Sequence, residues 1–152
     1  MNLALKIVPP VQLVISASIM FYLSDSFPQL HFTFSFVIPL MLLLIALACI
    51  VGSLALYGFH KHKTAVHPHT PEKTSTVVDT GVYAYSRNPM YIALILIQLA
   101  LALYLGNIAC FAVIPFFIMY ITQYQIKPEE EILTKRFPLA YQAYCKKVRR
   151  WL

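Results

Sequence analysis

Charged side chains are scarce in this chain, making up 12% of its 152 residues, and acids are scarcer still at six, while 59% of the residues are hydrophobic. That balance excludes an ordinary soluble domain of this length. Cysteine is too sparse and scattered to staple anything: Cys49 and Cys110 sit in apolar runs and Cys145 in the C-terminal segment. A disulfide framework and a clustered metal site are both unsupported. No nucleic-acid-binding motif accompanies the net charge of +6, so the basic excess reads as orientation in a bilayer and contact with anionic headgroups, and no nucleic acid is expected as a partner.

What the chain has in quantity is uncharged sequence. From Phe36 to Phe59 no charge occurs, a length of about 36 Å as a helix against a hydrocarbon core of roughly 30 Å. Tyr91 to Tyr104 and Ile108 to Tyr124 are also charge-free and are separated by little more than Gly106-Asn107, which reads as a tight helical hairpin. The apolar stretch from Ile7 to Ser24 begins near Pro9-Pro10 and reads as a spanning helix, or else as a signal-like or interfacial segment. Lys and Arg are absent between Ser24 and Thr33 and at Gly106-Asn107, and they gather between His60 and Asn88 and after Tyr124. The expectation is a single all-α integral membrane domain over 1–152, with four transmembrane helices at 7–24, 36–59, 90–105 and 108–125. A cytoplasmic amphipathic tail at 126–152 completes the site, and both termini lie in the cytoplasm, at a bacterial inner membrane.

Two polar segments remain. In HKHKTAVHPHT, the close-set His60, His62, His67 and His69 invite a zinc reading, but Lys61 and Lys63 would repel a cation and no carboxylate or cysteine stands at ligand spacing. No metal is expected. The other segment, IKPEEEILTKRFPLAYQAYCKKVRRWL, starts with Pro128 and three acids, which suit the first turn of a helix. Leu133, Phe137, Tyr141, Tyr144 and Val148 then recur at helical spacing, and Pro138 should kink or divide the helix. A return of the chain at Gly106-Asn107 would bring Arg87, Asn88 and Tyr91 to Glu129 and Glu130. Such a grouping could hold a small polar cation at the lipid surface; equally, interfacial tyrosines, a capping asparagine and helix-starting acids would account for it without a ligand.

GVYAYSRNPMY at 81–91, the charge-free stretch after it, Glu129-Glu130, Leu133, Phe137, Tyr141, Tyr144 and the closing VRRWL resemble the isoprenylcysteine carboxyl methyltransferase family in its bacterial membrane branch, itself related to phospholipid N-methyltransferases. The resemblance covers about Thr64 to Leu152. It implies an S-adenosylmethionine-dependent methyltransferase whose partner is a membrane lipid or a lipidated acceptor entering from the bilayer. By position it implies cofactor contacts at Ser75, Thr76, Val77, Val78, Tyr83, Asn88, Pro89, Met90, Tyr91 and Glu129, and catalytic roles for Arg87 and Glu130. Gln125 falls where prenylcysteine enzymes carry a substrate-binding arginine, and an amide cannot form the bidentate ion pair that arginine gives a carboxylate. Asn88 replaces the histidine of the best-known members, and Pro138 a glycine. Carboxyl O-methylation is the leading reading, with methylation of a phospholipid amine as the alternative. A nonenzymatic membrane protein that organises a lipid or protein partner is the rival outside catalysis.

Overall fold

The computed structural model describes residues 8–61 and 76–152. Among these residues six α-helices follow in chain order: α1 (Pro9–Ser26), α2 (Val37–Lys61), α3 (Pro89–Leu105), α4 (Ile108–Ile121), α5 (Lys127–Arg136) and α6 (Pro138–Lys147). Ser75, the cluster His62, His67 and His69, and the start of the first apolar run fall outside the described residues.

The structure corrects the expectation of four spans. Among the described residues two helices are long and apolar enough to cross a membrane, Val37–Lys61 and the continuous run Ile108–Arg136. In α1, two prolines, Gln12, four serines and Asp25 dilute the apolar content. At 17 residues α3 reaches about 26 Å, short of the hydrocarbon thickness. Nor is there a tight terminal hairpin with two arms ending together. Thr122–Ile126 widens into a π-helical turn and carries α4 directly into α5, so the second arm runs well past the expected end at Gln125. The expected tail is thus no separate appendage at its start, because α5 extends an apolar helix.

The packing follows from small residues on facing stripes. On α1, Gln12, Ser16, Met20 and Ser24 recur every fourth residue and are its buried positions, set against α4. Met20 closes a core with Ala102, Cys110, Val113 and Ile114. Helix α2 packs most extensively on α3, where a Cβ added at Gly52 would lie 3.6 Å from that of Ala93. Small residues at such a seam let two backbones approach. The outward side of α2 exposes Ile38, Leu42, Leu43, Ile50 and Leu54, an apolar face that lipid covers.

Between α3 and α4 the chain turns on two residues. Gly106 has φ 56°, and a Cβ there would stand 2.8 Å from the carbonyl oxygen of Phe32, so both its conformation and its space call for glycine. Asn107, fully buried, accepts from the Ala109 amide at 2.9 Å to cap α4 and donates through Nδ2 to the Phe27 carbonyl at 2.8 Å. The turn is thereby tied to the end of α1. At the far end of α5, Phe137 leaves helical geometry (φ −129°, ψ 58°) because the following Pro138 disfavours it, and α6 starts in a new direction. Tyr141, Tyr144, Val148, Leu133 and Phe137 then gather against Val77.

Candidate active site

The loop before α3 and the segment after α4 meet at one end of the bundle. Tyr91, in the first turn of α3, donates its hydroxyl to Glu129 Oε1 at 2.6 Å. Gln125, from the π-helical turn, donates Nε2 to the same oxygen at 3.0 Å. Arg87 Nη1 lies 3.3 Å from Glu130 Oε1 and 3.4 Å from the Tyr141 hydroxyl. Residues some forty positions apart in sequence therefore share one surface. Pro89 starts α3 at its first helical position, where its missing N–H costs nothing.

Two adjoining cavities open here. One, of about 110 Å³, is walled by Thr76, Val77, Val78, Glu130, Leu133 and Tyr141, among others. The second, of about 210 Å³, is rimmed by Pro9, Pro10, Pro89, Met90, Tyr91 and Leu94. Phe59, Tyr83, Arg87, Asn88 and Glu129 line both. The first is polar at its Arg87–Glu130 end, whereas the rim of the second is mostly apolar. Phe59 and Tyr83 meet edge to face at 5.2 Å and form an aromatic wall common to the pair.

Every anticipated site residue within the described part therefore borders a cavity, except Gln125. It is wholly buried and reaches the site through Glu129 and Tyr91. Arg87 and Glu130, expected as catalytic, form an ion pair, and Glu130 is further held by Arg150, whose Nε and Nη2 donate to its two oxygens at 3.0 and 2.7 Å. That fork-to-fork geometry makes a strong charge-assisted pair and strengthens the hold of Arg150 on its proton. The basic excess expected to meet headgroups therefore includes one residue, Arg150, committed to an ion pair.

Sequence reasoning also missed the strap that residues 149–150 lay across the loop. The Arg87 amide donates to the Arg149 carbonyl at 3.1 Å, and Asn88 Nδ2 donates to that of Arg150 at 2.9 Å. Ser86 Oγ adds a longer bond to the same Arg150 oxygen. Asn88 is thus turned toward the strap, where its amide satisfies a backbone acceptor. Position 88 needs a donor, and asparagine supplies one without titrating. Nothing but the joint occurrence of SRNP and VRRWL in the chain signalled this pairing. Burial pushes the Tyr83, Tyr141 and Tyr144 hydroxyls well above the ordinary tyrosine range, so they remain neutral donors. Tyr144 accordingly donates to the Tyr83 carbonyl at 2.7 Å and fixes the turn Gly81–Ala84.

Among the described residues no group of His, Cys, Asp and Glu is placed to hold a metal ion. The available donors suit an organic cation instead: one carboxylate with an oxygen to spare, aromatic faces and neutral hydroxyls.

An all-α membrane protein with a carboxylate and aromatic walls at the end of an apolar bundle belongs among enzymes and binders that meet their ligands at the bilayer surface. The comparison with known families is specific: the model described as "Phospholipid methyltransferase" matches residues 34–140, most of the chain. The chain belongs to the phospholipid methyltransferase family, a broader group than the isoprenylcysteine enzymes the motifs resemble, and is an integral membrane S-adenosylmethionine-dependent methyltransferase acting on a lipophilic acceptor. An uncharacterized Haemophilus influenzae protein is 46% identical over 63 residues, which cover 41% of this chain and the whole of that protein. No solved structure matches the chain.

Proposed function

We propose that the acceptor is a phospholipid amine and that the site works at the cytoplasmic face of a bacterial inner membrane. The observation carrying this reading is the second cavity: its apolar rim suits acyl or glycerol carbons, and Glu129 stands in its wall. The guanidinium of Arg87 is directed to Glu130, so the uncommitted charge near that wall is negative and favours an ammonium over a carboxylate headgroup. The family description points the same way.

In this reading Thr76, Val77, Val78, Tyr83, Asn88, Pro89, Met90, Tyr91 and Glu129 hold the cofactor, together with Ser75. S-adenosylmethionine, when bound, supplies an electrophilic methyl group on sulfur. The protein aligns the acceptor nitrogen and keeps water from it, which lowers the barrier without metal chemistry. An amine must also give up a proton to become nucleophilic. Glu129 is the carboxylate at hand, since both oxygens of Glu130 are taken by Arg150. Arg87 and Glu130 act as a frame: with Arg150 they lock the loop, α5 and the strap together.

Cytoplasmic placement rests on charge: α2 ends in His60-Lys61 on the side of the site, and the segment that follows its other neighbours, Lys127 onward, is basic. Pro9 and Pro10 line the second cavity, so the start of α1 lies beside the site. A second reading, carboxyl O-methylation of a lipidated acceptor, is favoured by the GVYAYSRNPMY and VRRWL motifs. It lacks a cationic clamp at Gln125.

The deciding experiment offers labelled S-adenosylmethionine with phosphatidylethanolamine vesicles or with a prenylcysteine analogue to the purified protein. Base-stable transfer to the vesicle amine is expected; efficient, base-labile transfer to the prenylcysteine carboxylate in its place would reverse the order of the two readings. For the cofactor, Glu129→Gln should weaken binding roughly tenfold to a hundredfold, by loss of a charge-assisted hydrogen bond, and Glu131→Gln should change it little. Equal, negligible effects in folded protein would return the acidic run to a helix-start role.

A further inference from the structure

We propose that Gln125 is a positioning residue, which with Tyr91 pins one oxygen of Glu129 so that the other is presented to an ammonium group where the two cavities meet. This rests on the methyltransferase reading, and it replaces the idea that Gln125 substitutes for a substrate clamp.

Three observations carry it. Both hydrogen bonds to Glu129 among the described residues, from Tyr91 and from Gln125, fall on Oε1, while Glu129 lines both cavities, so among the described residues Oε2 is the atom left to a ligand. Gln125 is itself fully buried and lines neither cavity, so it acts on a ligand only through the residues it holds, Glu129 and its co-donor Tyr91. Its own Oε1 is buried without a hydrogen-bond partner, a cost that an apolar side chain of the same size would avoid. Packing alone would favour methionine or leucine here. A glutamine kept at that cost, in a π-helical turn of the kind that recurs at functional sites, is explained by what its amide does to Glu129. Because a carboxylate needs the donor, the amide is oriented with Nε2 toward Glu129.

The ammonium could be the amino group of the cofactor or that of the acceptor. The chemistry presented to either is the same, a buried carboxylate oxygen held in a fixed direction.

The test is a double-mutant cycle on the full chain in detergent or nanodiscs, with Gln125→Met, Glu129→Gln and the double variant. Titration with S-adenosylhomocysteine reads the cofactor, and the acceptor KM at saturating S-adenosylmethionine reads the headgroup. Gln125→Met should weaken one of these by roughly threefold to tenfold, and the double variant should be no worse than Glu129→Gln alone, because the amide has nothing left to position. A loss in the titration assigns the ammonium to the cofactor, and a loss confined to KM assigns it to the acceptor. Additive losses, or no loss in either readout, overturn the proposal. Gln125→Asn keeps the amide but withdraws it from Glu129, and it should behave like Gln125→Met; if only the methionine variant misfolds, the asparagine cycle decides. Failure of the wild-type protein to bind S-adenosylhomocysteine would instead count against the methyltransferase reading, independently of the cycle.

Discussion

Gln98 shows at the scale of one side chain how polar burial separates function from mere occupancy. It lies midway along α3, wholly buried, with neither amide atom hydrogen-bonded. Unlike Gln125 it has no hydrogen bond to a site residue among the described residues and lines neither cavity, so replacing it should remove a cost and nothing else. Gln98→Met, which conserves volume, is expected to raise stability by about 1–3 kcal/mol, seen as a higher unfolding midpoint with cofactor affinity unchanged. A drop in stability would mean that the amide serves a partner of its own. Arg150→Ala works in the other direction: it strips Glu130 of two hydrogen bonds and loosens the strap. Because Arg150 is about one-third exposed, solvent discounts the pair, and a loss of about 1–2 kcal/mol is expected by thermal unfolding. Sequence reasoning could see Glu129, Tyr91 and Arg87 as candidates because motif and polarity marked them. It could not see Arg150, since a basic residue among six others in an interfacial segment has no local feature that distinguishes an ion-pair partner from a headgroup contact.

Helices α2 and α3 lie within about two residues of the charge-free runs that announced them, because the end of a charge-free run is also where polar backbone and side chains find water. What periodicity could not convey was how many of them are long and apolar enough to cross. The serines and prolines of α1 and the 17-residue length of α3 decide that, and so does the continuity of α4 into α5, which Pro128 had seemed to interrupt. Proline at the second position of α5 costs little when the preceding turn is π-helical and its own N–H would have been displaced. The turn between α3 and α4 is the element most sensitive to substitution. Gly106→Ala should cost about 1–3 kcal/mol, combining a left-handed φ with the clash at the Phe32 carbonyl. Asn107→Ala should cost a similar amount, since a cap and a tie to α1 are lost together. Both are read as unfolding midpoints in one detergent, and neither should alter the S-adenosylhomocysteine affinity of the folded fraction.

At the scale of the whole molecule, orientation in the bilayer is the property most open to direct measurement. A cysteine at exposed Gln29, between α1 and α2, should react with an impermeant reagent added outside intact cells. One at exposed Gln142, on α6, should react only after the membrane is opened. Labelling in the reverse order would place the site on the outer face and exclude a cytoplasmic pool of cofactor. The same view shows what the π-helical turn does to the molecule. It holds one more residue than an α-turn would, so all that follows, α5, α6 and the strap, is indexed against the apolar bundle by a count of residues as well as by its contacts. Adding one alanine after exposed Gln123, beyond the extra residue the π-turn already absorbs, would rotate the downstream half by about 100° around the helix axis. Helix content by circular dichroism should survive while cofactor binding is abolished, because Glu129 would swing away from Tyr91. A one-residue insertion at a helical turn is thus the hinge pin that keys a water-facing half of the protein to a lipid-facing half, and length polymorphism there would be harder to tolerate than almost any exchange of side chains.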